Sequence, residues 1–140
     1  MGAVPLHYID LRTFCYATED EGRVDQALRL FLPAEYPIER ETSKGHHGDR
    51  IIVLSTRVEN ADEMRFILEK VAELDELDQL ERELDNRVDD DCSLFLQFDK
   101  QAAYRGDVRL GRGILFRAKV EAYPARKEAA VENARVALGV

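Results

Sequence analysis

The sequence predicts an α+β fold, a mostly antiparallel sheet covered by helices, built as a single domain from residues 1–140. Several short segments alternate apolar and polar side chains, which is typical of strands with one buried face. Other segments carry apolar residues at spacings of three and four after capping-box signals, which is typical of amphipathic helices. These elements do not follow the regular βαβ rhythm of a parallel sheet, so an antiparallel arrangement is favoured.

The first part of the chain predicts three strands and one helix. Residues 6–17 form the first predicted strand, because their side chains alternate in polarity. The segment from Thr18 to Glu21 has capping-box form and predicts the start of a helix, which ends before Pro33. Residues 36–42 predict a second strand, and residues 51–58, which are rich in β-branched side chains, predict a third.

The second part predicts helices around a strand and a hairpin. A second capping box begins at Asn60, and leucines at spacings of three and four predict a further helix over residues 75–88. Residues 93–99 predict a strand, and residues 100–106 a helical turn. A β-hairpin with the three-residue loop Gly111-Arg112-Gly113 follows, and residues 125–138 predict the last helix.

The predicted hairpin determines which of its side chains share a face. A three-residue loop places Val108 opposite Phe116 and Leu110 opposite Ile114, so that both strands present one apolar face. The other face and the loop then carry five cations, which are Arg105, Arg109, Arg112, Arg117 and Lys119. Such a cluster is disfavoured unless an anion compensates it, and arginine suits bidentate phosphate contact. The hairpin is therefore a predicted polyanion-binding surface, with a merely solvated face as the alternative.

The distribution of charge along the chain supports this surface. The chain has 20 Lys and Arg against 28 Asp and Glu, yet residues 100–127 carry eight basic and two acidic side chains. Residues 59–91 show the reverse, with fourteen acidic and four basic side chains, and are interpreted as solvated helical faces. A basic region on an acidic protein indicates a surface for a polyanion that the rest of the molecule repels.

The start of the last predicted helix is a second basic site. Arg126 and Lys127 fall in its first turn, where the helix macrodipole disfavours cations and free N–H groups favour anions. A phosphate that docks at this end explains the two cations. Neutralisation by Glu121 or Glu128 explains them equally well.

A histidine pair between two glycines is the third candidate site. The flanking glycines let the backbone approach a ligand, and four side chains can donate hydrogen bonds to it: Lys44, His46, His47 and Arg50. A structural glycine turn is the alternative interpretation. Paired imidazoles also suggest a phosphoesterase, but no nucleophile or carboxylate pattern accompanies them, and adjacent histidines in a tight loop rarely share one zinc ion. We therefore predict no metal, no cofactor and no catalysis.

The first predicted strand carries aromatic and basic side chains on one face, namely Tyr8, Arg12, Phe14 and Tyr16. If this face is exposed, it forms a platform on which bases stack between interleaved charges. Aromatic side chains at such positions more often pack beneath a helix or at a sheet edge. Packing is therefore the favoured interpretation.

The composition indicates a cytoplasmic protein. No apolar run is long enough to span a bilayer, and the N-terminus lacks the pattern of a secretory signal. Cys15 and Cys92 lie outside any CxxC pattern and are predicted to be buried thiols. Fifteen Arg against five Lys, together with abundant Asp and Glu, suggest a salty cytoplasm. Phosphate contacts weaken as salt rises, so stacking or shape recognition would then have to contribute to the binding of a polyanion.

Four phrases of the sequence are distinctive: Asp10-Leu-Arg-Thr-Phe-Cys-Tyr-Ala-Thr-Glu-Asp20, Gly45-His-His-Gly48, Asp99-Lys-Gln-Ala-Ala-Tyr104 and Lys119-Val-Glu-Ala-Tyr-Pro124. They closely resemble an archaeal family described as RNA-binding proteins or predicted exosome-associated subunits. The resemblance covers nearly the whole chain and implies a fold similar to that of the ribosomal protein that binds 5S RNA. One departure is Asp49, where an amide is expected. This carboxylate argues against direct phosphate contact by the adjacent loop.

The leading hypothesis is a non-catalytic RNA-binding accessory protein, which the resemblance links to RNA processing or degradation and to the exosome. The basic hairpin and the start of the last helix would hold the RNA backbone, while the acidic helices face solvent or a basic partner. A protein–protein adaptor in an RNA-handling complex is the main alternative. A histidine-dependent phosphoesterase is the third hypothesis.

Overall fold

The fold is an antiparallel sheet with helices, as a computed structural model that describes residues 4–45 and 48–140 shows. In chain order the described residues form β1 (Leu6–Cys15), α1 (Glu21–Arg29), β2 (Glu39–Lys44), β3 (Arg50–Val58), α2 (Ala61–Val71), α3 (Leu77–Arg87), β4 (Ser93–Asp99), α4 (Lys100–Tyr104), β5 (Gly113–Val120) and α5 (Lys127–Leu138). The five strands lie in the order β2-β3-β1-β5-β4, and every neighbouring pair is antiparallel. The predicted α+β class is confirmed.

The core lies between the helices and one face of the sheet. Side chains alternate along each strand, so Leu11 of the central strand β1 points inward together with its register partner Phe116 of β5. The ring of Phe98 on β4 is fully buried between Phe31 and Phe116, with centroid distances of 4.7 and 6.1 Å. In the part of the chain that the structure describes, no helix covers the opposite face, where most side chains are half-buried or exposed.

The two predicted capping boxes have different outcomes. Asn60 caps α2 as expected, and its side-chain oxygen accepts hydrogen bonds from the backbone N–H groups of Asp62 and Glu63. Helix α1 begins two residues later than predicted, because Asp20 rather than Thr18 is its N-cap. The intervening Glu19 belongs to the turn after β1, where its carboxylate accepts hydrogen bonds from the backbone of Tyr16 and from Lys100.

The hairpin predicted around Gly111 and Gly113 is wrong. Strand β5 pairs with β1 on one side and with β4 on the other, so both of its edges are occupied. Residues 107–110 instead run across the end of β4, where Leu110 forms one isolated bridge with Phe98. The backbone N–H of Leu110 donates to Glu76 at 2.8 Å. A true hairpin lies elsewhere in the chain and joins β2 to β3.

Both cysteines, Cys15 and Cys92, are buried and free, as predicted. Burial raises the pKa of the Cys15 thiol above its usual value, and the nearby Glu19 carboxylate acts in the same direction. None of the helices in the described ranges has the length and apolar character needed to cross a membrane.

Candidate nucleic-acid interface

One face of the sheet is not covered by helices and is called the open face below. It consists of the outward side chains of β3, β1, β5 and β4, which are Ile51, Val53, Ser55, Arg57, Tyr8, Asp10, Arg12, Phe14, Leu115, Arg117, Lys119, Phe95 and Gln97. All of these side chains are half-buried or exposed. A groove of about 750 Å³ crosses this face from β2 to β4. The open face therefore offers a concave surface rich in arginine and aromatic side chains.

The aromatic side chains of β1 lie on this open face. Packing beneath a helix or at an edge, which was the favoured interpretation, is wrong because β1 is the central strand and the helices lie on the other side. Tyr8 and Phe14 are half-buried, and Tyr16, just beyond the strand, is 49% exposed. The rings of Phe14 and Tyr16 stack at a centroid distance of 6.4 Å.

Asp10 and Arg57 form a bidentate ion pair in the middle of the open face. The Nε of Arg57 donates to one carboxylate oxygen of Asp10 at 2.8 Å, and a terminal nitrogen donates to the other at 3.0 Å. The same guanidinium lies 3.9 Å from the ring centroid of Tyr8. The pKa of Arg57 is raised because the hydrogen bond to Asp10 stabilises its charged form. Arg57 is thus held in place and its charge is largely compensated.

Arg117 differs from Arg57 although both are register partners of Asp10. Its guanidinium lies 5.9 Å from the ring centroid of Phe95 on the neighbouring strand β4. Within residues 4–45 and 48–140 it forms no ion pair, and the Asp10 carboxylate pairs with Arg57 instead. Arg117 therefore keeps its full charge beside an exposed aromatic ring.

Arg12 is the second uncompensated guanidinium of the open face. It is exposed and lies 5.2 Å from the ring centroid of Phe14. Among the described residues it has no ion-pair partner, as for Arg117. Two free cations beside aromatic rings match the combination that binds phosphates and stacks bases.

Of the five cations assigned to the hairpin, two reach the open face. Arg117 and Lys119 point outward from β5, as the alternation of that strand predicts. The other three lie in the connection between β4 and β5, exposed at one end of the sheet, and are Arg105, Arg109 and Arg112. The prediction that all five cations share one hairpin face and its loop is wrong, because the hairpin does not exist.

Lys119 is less available than its position suggests. Its register partners are Tyr8 on β1 and Ser93 on β4. Its ammonium group donates to the backbone carbonyl of Asp91, in the acidic turn before β4. Lys119 thus links the open face to that turn.

The two remaining basic sites lie at opposite ends of the sheet. Lys127 is the first residue of α5 and Arg126 its N-cap, beyond the end of β5. Neither pairs with Glu121 or Glu128 in the described part of the chain, which argues against the alternative of local neutralisation. Strand β1 runs between the two ends and spans about 30 Å, so these cations do not form one patch with the loop at residues 44–50.

The described ends of the loop between β2 and β3 lie close together. Lys44 and Arg50 are register partners at its base, and both are exposed. The backbone N–H of Gly45 donates to the carbonyl of Asp49 at 2.6 Å. This geometry agrees with the structural-turn interpretation, while His46 and His47 lie outside the described residues.

Sequence reasoning did not propose Arg57, Phe95 or Gln97 of the open face as site residues. The signal for Phe95 and Gln97 was present, because Leu94, Leu96 and Phe98 alternate with them and are buried. What the alternation does not reveal is that no described helix covers the other side.

Comparison with known proteins gives one family and several close structural matches. A family model described as RNA binding matches residues 8–120. The chain is 33% identical to the RNA-binding protein PAB1135 of Pyrococcus abyssi, over 96% of this chain and 94% of that protein. It is similar to the structure of Mth689, a DUF54 protein of Methanothermobacter thermautotrophicus, with 40% identity and a TM-score of 0.81 over 95% and 98% of the two chains. It is also similar to the structure of protein AF2318 of Archaeoglobus fulgidus, with 26% identity and a TM-score of 0.85 over 94% of this chain and 99% of that chain. The matched residues 8–120 include the whole open face but not the start of α5.

Proposed function

The chain belongs to the RNA-binding family whose model it matches over residues 8–120, and on that premise we propose that it is a non-catalytic, cytoplasmic protein that binds RNA through the open face of its sheet. The observation that carries this proposal is the pair of uncompensated guanidinium groups, Arg12 and Arg117, beside exposed or half-buried aromatic rings. Arginine at such a position contacts phosphate and stacks on bases.

The charge on the rest of the molecule also favours RNA binding at the open face. The segment from residue 59 to 91, which includes α2 and α3, carries fourteen acidic side chains against four basic ones. Asp62, Glu69 and Asp85 are among those exposed to solvent there. The helical side therefore repels a polyanion, and RNA is directed to the open face. The cations at the ends of the sheet, including Arg112, Arg126 and Lys127, extend this surface in our proposal.

Charge reversal on the open face tests the proposal. We expect Arg12→Glu combined with Arg117→Glu to weaken RNA binding about a hundredfold at low salt, because two phosphate contacts are lost and two repulsions are added. The measurement is fluorescence anisotropy with labelled RNA, after circular dichroism has shown that the variant is folded. The matched control is Arg23→Glu with Arg82→Glu, which makes the same charge change at exposed positions of α1 and α3. An equal loss of affinity in both double variants would contradict an interface on the open face.

A change at Asp10 should increase the affinity for RNA in the same assay, in contrast to the charge reversals. Asp10→Asn releases Arg57 from its ion pair, so one more cation becomes available to phosphate. We expect affinity to rise about three- to tenfold at low salt, and the slope of log affinity against log salt to steepen by about 0.7. Unchanged affinity and slope would show that Arg57 lies outside the RNA path.

The cellular role is a further part of the proposal. We place the protein in RNA processing or degradation, in association with the exosome, and the resemblance found in the sequence supports this; the likeness to the 5S-RNA-binding ribosomal protein stays a prediction. The exposed acidic helices also fit a basic protein partner, as an adaptor would require. Affinity purification with and without RNase treatment separates the two roles. We expect the associated processing proteins to be lost after RNase, whereas contacts that survive RNase would favour the adaptor.

A further inference from the structure

We propose that Phe95, Arg117 and Gln97 form a pocket for an unpaired nucleobase, so that the open face selects single-stranded RNA. This inference rests on the proposed function and gives it a substrate class. Phe95 is 44% exposed although it lies in a strand of the sheet. The exposed part of this phenylalanine contributes nothing to the free energy of folding, whereas a ligand that covers it gains the free energy of burying that surface.

The polar groups around Phe95 are suited to the edge of a base. Arg117 is the register partner of Phe95 on β5, and its guanidinium lies 5.9 Å from the ring centroid. Gln97 lies two residues along the same strand, about 7 Å away and on the same face. Its exposed amide forms no hydrogen bond in the described residues, so it offers both a donor and an acceptor. A base stacked on Phe95 therefore has unpaired hydrogen-bonding groups within reach of its edge.

Single-stranded RNA fits this arrangement better than a duplex does. Bases in a duplex are stacked on both sides and paired along the edge that Gln97 and Arg117 would contact, so only an unpaired base can lie on Phe95. The groove also contains carboxylates, from Asp10 on β1 and Glu39 on β2. A surface built only for phosphates would exclude them, whereas a surface that reads bases tolerates acidic groups between its cations.

Stacking also suits the composition of the chain. Phosphate contacts lose affinity steeply as salt rises. Protein binding releases counterions from the RNA, and this release is less favourable when the salt concentration is high. Stacking on an aromatic ring requires no such release and remains when salt is high. The 15 Arg and 28 acidic residues suggest a salty cytoplasm. Under that condition, stacking on Phe95 supplies the part of the affinity for RNA that salt does not screen.

The test compares two RNA probes and three variants of the full chain. The probes are a short single-stranded oligoribonucleotide and a duplex that contains the same sequence. The variants are Phe95→Ala, Phe95→Leu, which keeps apolar bulk but loses the flat ring, and the control Tyr123→Ala, which removes an aromatic ring that is 92% exposed and lies beyond β5, off the open face. We expect the wild type to prefer the single strand. Both Phe95 variants should bind it roughly tenfold more weakly, because one stacked base is lost, while Tyr123→Ala should bind normally.

The outcomes separate this inference from the proposed function. If the wild type binds RNA but treats single strand and duplex alike, or if Phe95→Ala and Phe95→Leu bind the single strand as the wild type does, the base pocket is wrong while RNA binding stands. If the wild type binds neither probe, the proposed function itself fails and the pocket with it. A single-strand preference that both Phe95 variants reduce, with Tyr123→Ala unaffected, establishes the pocket.

Discussion

The variant Phe98→Ala is expected to lose about 3–5 kcal/mol of its free energy of unfolding, because the ring is fully buried and its removal leaves a cavity. Phe98 packs against Phe31 and Phe116 at centroid distances of 4.7 and 6.1 Å, where it joins β4 to the rest of the core. Domains of this size are stable by about 5–15 kcal/mol, so this loss is a large fraction of the total stability. Urea unfolding followed by circular dichroism measures the loss.

Phe95→Ala is the matched control for this prediction. Phe95 is the same residue type on the same strand, but it points to the open face and is 44% exposed. We expect it to lose less than about 1 kcal/mol, as surface substitutions do. A shift of the β4 register by one residue would exchange the faces of the two rings. Equal losses in the two variants would therefore contradict the register of β4, and the base pocket would lose its foundation.

The strands and their faces were predictable because alternation is a local property. Leu94, Leu96 and Phe98 point inward whatever strand lies beside β4, and the structure agrees. The same holds for Arg117, whose outward direction follows from its buried neighbours Phe116 and Ala118. Such positions need no knowledge of strand partners.

The choice of strand partners was not predictable from the local pattern. Val108 and Leu110 alternate before Gly111 as the first strand of a hairpin would, yet β5 pairs with β1, about a hundred residues earlier in the chain. In the assembled sheet that pairing buries the side chain of Phe116 in the core. The local sequence pattern does not reveal this gain in buried apolar surface. The predicted grouping of Arg109 with Arg117 on one hairpin face depended on the hairpin and failed with it.

The exposure of the open face was kept only as the less favoured interpretation, for a related reason. A strand with alternating polarity has one buried face, but the pattern does not say whether the other meets solvent or a second layer. The positions of Tyr8 and Phe14 in the sequence fit both a face that meets solvent and a face that a second layer covers. Only the placement of the described helices on one side distinguishes them.

Gly113→Ala is expected to lose about 3–5 kcal/mol of unfolding free energy, because Gly113 is packed against the start of α4. Its φ of +120° is one that side-chain-bearing residues rarely adopt, and a Cβ there would lie 2.5 Å from the Cβ of Lys100. Lys100 has little freedom to move, since its ammonium group donates to the carbonyl of Phe14 at 2.9 Å and to Glu19 at 2.8 Å. The substitution therefore strains the start of β5, the strand that carries Arg117.

Gly106→Ala separates the two causes of this loss. Gly106 also has a positive φ, of +87°, but nothing lies within 4 Å of the Cβ that alanine would add. We expect a loss of about 1–2 kcal/mol from the backbone conformation alone. The difference between the two variants, measured by urea unfolding, then reports the contact with Lys100 together with the difference in strain between φ values of +120° and +87°. A hairpin loop at Gly111–Gly113 would leave Gly113 free of that contact, so equal losses in the two variants would favour the hairpin. A larger loss for Gly113→Ala supports a chain that crosses the end of β4 and leaves β5 free to pair with β1.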